Sequence, residues 1–145
     1  MALFFVLRPG REPVPTGDPE ARIVAYLKEN IRPGRPVVVT DLYNNVFTSR
    51  EEREALQRLY DAFFKIPAAA AQTYTKTGKI PTLQELSEQF DLKVPGEIDV
   101  LLRIMEYDPR VPRFFERDPV TGEITSIDVN RIASEERFGR PLRDR

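Results

Sequence analysis

Apolar residues follow three rhythms along this chain. At the start every position from Leu3 to Leu7 is apolar (Leu3-Phe4-Phe5-Val6-Leu7), which predicts a strand over Ala2–Leu7 with both faces seeking cover. Residues 8–17 hold Pro9, Pro13, Pro15, Gly10 and Gly17 and predict no regular structure. From Asp18 the spacing becomes three and four. Asp18-Pro19-Glu20 supplies a cap, a proline for the first helical position and an early acid, and Ile23, Val24, Leu27 and Ile31 form the stripe behind it. Arg32-Pro33-Gly34-Arg35-Pro36 stops that helix. Val37-Val38-Val39 predicts a short strand or an extended lead into one or two helical turns over 40–47.

The strongest helix starts at Ser49, which stands in capping-box register with Glu52. Leu56, Leu59, Tyr60 and Phe63 share one stripe with Phe64 beside it, while Arg53, Arg58 and Asp61 lie off it, toward solvent. Ile66-Pro67 predicts a kink or break, followed by a helix over 68–76 that Gly78 closes. Thr82 and Glu85 repeat the capping box ahead of Leu83, Leu86 and Phe90. After the break at 91–95, Ile98, Leu101, Leu102 and Met105 define a longer helix through Tyr107. Residues 113–129 read as a hairpin about Asp118-Pro119-Val120-Thr121-Gly122. The last fifteen residues keep no apolar period and predict a tail or docking arm.

These elements predict a mainly α fold with a small β component: one compact domain over 1–130 and an arm over 131–145. Helix, tight break, helix, hairpin is the order of a winged helix-turn-helix. Gly78, Pro81, Thr82, Glu85 and Leu86 resemble the entry to that motif in SOS-repressor DNA-binding domains and in region 3 of primary sigma factors. The resemblance spans 78–86, extended loosely to the hairpin at 113–129. It implies a winged-helix-like unit over about 67–130 and carries over the fold alone.

Composition narrows the chemistry more than it names it. The chain has no Cys and no His, which removes disulfides, thiolate chemistry, the commonest zinc ligand and the usual general base near neutral pH. No phosphate-cradling glycine loop, calcium loop or nucleophile elbow is present. Carboxylates at Asp41, Glu51, Glu52 and Asp61 are explained by turns, caps or solvated faces. Tyr43 and Tyr74 read as core aromatics, so no catalytic residue and no cofactor or metal site is expected. The net charge is −1, which gives no global attraction to nucleic acid. The apolar runs are strand-sized and no leader is visible, which predicts a cytoplasmic protein without a membrane span.

In the helix over 95–107, Asp99, Arg103 and Glu106 face away from the stripe, with Glu97 in the first turn where an acid complements the helix dipole. Acids there oppose phosphate binding. The preferred expectation is therefore a non-enzymatic adaptor or regulatory subunit working through protein–protein contacts or self-association. Its candidate contact residues are Leu3, Phe4, Phe5, Val6 and Leu7 in the strand and Arg137, Phe138, Arg140, Leu142 and Arg143 in the arm. The arm reads equally well as a solvated terminus. The alternatives are a transcription regulator that contacts DNA through the wing (Arg110, Arg113, Arg117) and the arm, and a small carboxylate-dependent enzyme. Ion pairs between the hairpin's own strands account for the wing's mixed charge without a ligand.

Overall fold

The computed structural model of the chain describes residues 18–135, together with the backbone of 5–6 and 14–15. The candidate contact residues Leu3, Phe4, Leu7, Arg137, Phe138, Arg140, Leu142 and Arg143 lie outside these described residues. Phe5 and Val6 form β1 (Phe5–Val6), which pairs antiparallel with β2 (Val14–Pro15), Phe5 opposite Pro15 and Val6 opposite Val14. The described part of this strand is thus two residues long, and a strand also stands where the prolines and glycines of 8–17 predicted none. A two-stranded ribbon leaves room for a proline because each strand is an edge.

α1 (Pro19–Asn30) is capped by Asp18, whose carboxylate accepts from the amides of Glu20 and Ala21. A short turn, α2 (Val39–Asp41), runs directly into a π-helical turn over Leu42–Val46. No strand forms at 37–39, where Val38 is an extended lead into the turn. α3 (Arg50–Thr77) begins at the Ser49–Glu52 capping box and ends at Gly78, which takes the left-handed conformation (φ 75°) that side chains resist. Pro67 lies inside α3 and does not break it. A helical proline removes one N–H and crowds the preceding turn. Here Ile66, Pro67, Ala70 and Ala71 are all buried, so tertiary packing holds the turn that local chemistry disfavours.

α4 (Leu83–Gln89) starts at the second capping box. The Glu85 amide donates to Thr82 Oγ1 at 3.0 Å, and the Thr82 amide donates to Glu85 Oε1 at 2.9 Å. α5 (Glu97–Tyr107) buries Ile98, Leu101, Leu102 and Met105, the stripe read from the sequence, and also Val100 and Glu97. β3 (Phe115–Arg117) and β4 (Ile124–Ile127) form the hairpin, with a bulge at Glu116–Arg117. α6 (Val129–Ser134), capped by Asp128, crosses the boundary at 130 and sends Ile132 into the core against α3. The fold is mainly α with a small β component. One apolar core joins α1, α3, α4, α5, the hairpin and α6. No helix among the described residues is long and apolar enough to cross a membrane.

Candidate functional site

α5 organises three different surroundings. Its outward face, Asp99 and Glu106, receives the hairpin. Arg117 donates to both Glu106 oxygens (3.2 and 2.9 Å), to Asp99 Oδ1 (2.8 Å) and to the Gly122 carbonyl (3.0 Å). Burial favours the neutral guanidine, but the hydrogen bonds that Arg117 donates to Glu106 and Asp99 outweigh it and hold Arg117 charged. The hairpin also reaches α4, where Glu123 accepts from the Leu83 amide at 2.9 Å. Arg117 therefore forms its ion pairs with α5 rather than across the hairpin, which corrects the expectation of cross-strand ion pairs for this residue. The geometry is side chain to side chain between elements far apart in sequence, and alternation along a strand cannot reveal it.

Arg110 and Arg113, the other two arginines of the DNA-binding alternative, are placed differently. Arg110 is exposed and chelates Asp108 at 3.0, 3.3 and 2.8 Å, and Asp108 also accepts from the Arg110 amide. Arg113 is exposed on the approach to β3, where its carbonyl accepts from Arg131. The structure brings none of the three together.

At its N-terminal end, α5 buries a carboxyl. Glu97 is 1% exposed and neither side-chain oxygen has a hydrogen-bond partner. It faces Glu20 of α1 and, more distantly, Asp18 and Arg58. Two ionised carboxylates have no proton to share, so this contact becomes a hydrogen bond only when one is protonated. Burial first, then Glu20 and Asp18, pushes Glu97 up to about 8, while Arg58 pulls the other way. Glu97 is thus a neutral donor at pH 7. Its dipole role in the first turn is overridden by desolvation. Glu20 is held from the far side by Arg58 at 3.4 Å. Neither Glu97 nor Glu20 lines the groove described next.

The C-terminal half of α5 faces the opposite situation. Leu101 and Ile104, the α3 residues Leu56, Leu59, Tyr60, Phe63 and Phe64, and the segment Val37–Leu42 line an open groove of about 570 Å³. Asp108, Arg110 and Glu135 are its polar members beside Thr40. Tyr60 is 38% exposed and Val38 49%, and Phe63 and Phe64 are half-buried. The three aromatics are mutually braced: Tyr60 and Phe64 meet edge to face at 4.7 Å, as do Phe63 and Phe64 at 5.1 Å. The α3 stripe read as core from its spacing splits here. Leu56 and Leu59 are buried, while Tyr60, Phe63 and Phe64 give onto the groove. Helical periodicity marks which face is apolar, not whether the fold covers it.

Among the described residues no group of three or more acidic side chains is disposed to hold a metal ion. No family model, no curated protein and no solved structure matches this chain.

Proposed function

We propose that the chain is a non-enzymatic interaction module that takes an apolar, aromatic-bearing protein segment into the groove between α3 and α5. The observation that carries this is the groove itself. A braced aromatic row and two aliphatic residues of α5 lie beside exposed Val38 and Tyr60, with Thr40, Asp108, Arg110 and Glu135 as polar neighbours and no paired catalytic side chains among its lining. A concave surface that combines aromatic and aliphatic side chains with a few fixed polar groups supports a binding role. The volume is enough for one or two large side chains of a helix or an extended segment. Asp108, fixed by Arg110 at the rim, offers an orienting charge rather than a reactive one.

The test is a selection of peptides displayed against the full chain, followed by affinity measurements on Tyr60→Glu and Val38→Glu. Both positions are exposed enough for the variants to fold. The reading expects selected peptides rich in Phe, Leu or Trp whose affinity drops at least about tenfold in each variant, a loss of about 1.4 kcal/mol. Peptides that bind both variants unchanged would place recognition elsewhere and overturn it.

A further inference from the structure

We propose that the buried carboxyl contact between Glu97 of α5 and Glu20 of α1 is a proton-operated joint, whose shared proton holds the groove in its binding shape and whose loss releases it. The proposal rests on the groove being a docking surface. It adds what controls that surface.

The two helices carry matching faces. Glu20, Val24 and Leu27 follow one another at spacings of four and three on α1, and Glu97, Leu101 and Ile104 do the same on α5. Each series begins at a carboxyl and ends in the groove, because Leu27, Leu101 and Ile104 all line it. Leu101 lies one turn beyond Glu97 on the same face, and the helix ladder bonds its amide to the Glu97 carbonyl. A displacement of Glu97 is therefore a displacement of groove lining.

Ionisation demands such a displacement. Glu97 is 1% exposed and neither of its oxygens has a hydrogen-bond partner. From α1 it meets Glu20 and, at the cap, Asp18, whose carboxylate already accepts from the Glu20 and Ala21 amides. From α3 it meets Arg58, which is mostly exposed and bonds Glu20 at 3.4 Å. Lys28 of α1 rests beside Gly96 and is exposed as well. None of these donates to Glu97. With the proton present, one carboxyl donates to the other. Without it, two carboxylates face each other away from water, and separating them is the relief.

The side that yields is α5. The ion pairs Arg22–Glu52 and Arg58–Glu20 hold α1 on α3. The first turn of α5 instead follows Gly96, which offers its amides no side-chain acceptor. Burial, then Glu20 and Asp18, raise the Glu97 pKa to about 8. The joint is thus closed below the ordinary carboxylate range and up to about pH 6, and it is lost as the pH rises through the raised value. At pH 6 the proton is present with or without a bound peptide, so binding shifts there stay within the groove.

The chain has no His and no Cys, so few other groups titrate between about pH 6 and pH 9. The methyl signals of Leu27 and Leu101 are followed over that range in the full parent chain and two variants. Glu97→Gln keeps a donor and cannot ionise, and the amide of Glu20→Gln can donate to an ionised Glu97. The joint predicts a titration with a midpoint of about 8 in the parent, none in Glu97→Gln and a lower midpoint in Glu20→Gln. Methyls that stay still in the parent, or titrate equally in Glu97→Gln, would overturn it. A selected peptide free of His and Cys should then bind the parent about tenfold more weakly at pH 9 than at pH 6, because about one molecule in eleven keeps the proton there. Glu97→Gln should bind it alike at both. Equal affinities in the parent would overturn the control and leave the groove reading intact. Failure of every peptide to bind at pH 6 would overturn the groove reading instead, and the methyl titration would decide the joint.

Discussion

α5 departs from the rule of apolar inside and polar outside at both of its ends, in opposite senses. At the N-terminal end a carboxyl, Glu97, is buried without a donor and meets another acid from α1. Toward the C-terminal end Ile104 and the facing Tyr60 and Phe64 stay open to solvent in a groove. The first departure is closed within the chain, because a shared proton turns two acids into a hydrogen-bonded pair. The second has no such internal remedy among the described residues. Apolar surface can be satisfied only by something that covers it. Buried polarity thus points to a pH-dependent joint, and exposed apolarity is the basis on which we propose a docking surface.

The largest expected effect separates groove from core on this same helix. Leu102 is 1% exposed, and Leu102→Ala should cost about 2–5 kcal/mol in denaturant unfolding. Val38→Ser should stay within about 0.5 kcal/mol, as substitutions away from the core do, and Tyr60→Ser should cost about 0.5–1.5 kcal/mol, the worth of its edge-to-face contact with Phe64. Comparable losses in all three would mean that the groove is closed and that its aromatics are core.

A second variant asks whether a satisfied charge differs from an unsatisfied one. Arg117 is tied to Asp99 and Glu106 at 2.8–3.2 Å. Arg117→Ala should cost about 1.5–3 kcal/mol, the range for hydrogen bonds to charged groups, and Arg117→Lys should recover part of it because one ammonium cannot reproduce the fork. A neutral Arg117→Ala would show that the hairpin docks by apolar contact alone.

Glu97 should behave in the opposite way. Its pKa in the fold is raised from an ordinary 4.5 to about 8, so folding favours the protonated form. The stabilising protonation is fully present below about 4.5, and stability falls as the pH rises from there through about 8. Glu97→Gln keeps the shape and the donor but cannot ionise. Relative to Glu97→Gln, the parent should lose about 1.4 kcal/mol between pH 6 and pH 7, read from paired denaturation curves. Parallel curves over that interval would mean that Glu97 is ionised in the fold and that Arg58 supports it.

What the sequence made legible was mostly local chemistry. The caps at Asp18, Ser49 and Thr82 make the hydrogen bonds that their spacing implies, and the α5 stripe and the hairpin stand where they were expected. The misreadings are places where tertiary packing outweighs local preference. Pro67 stays helical because its turn is buried, and α6 forms on one buried residue, Ile132, too little for a periodic signal. Glu97 looked like a dipole partner because its position in the turn is visible and the arrival of α1 over it is not. The groove was present in the spacing of Tyr60, Phe63 and Phe64, yet only the arrangement of α3 against α5 shows that this part of the stripe lacks a neighbour.

The central claim is that the open end, not the buried end, is where this molecule binds. It is tested most directly by titrating a selected apolar peptide into the full chain and following methyl signals at both ends of α5. The account predicts saturable shifts at Val38, Leu101 and Ile104, with Ile98 and Val100 beside Glu97 unmoved. Shifts confined to Ile98 and Val100 or to the hairpin, with the groove methyls silent at saturation, would contradict it.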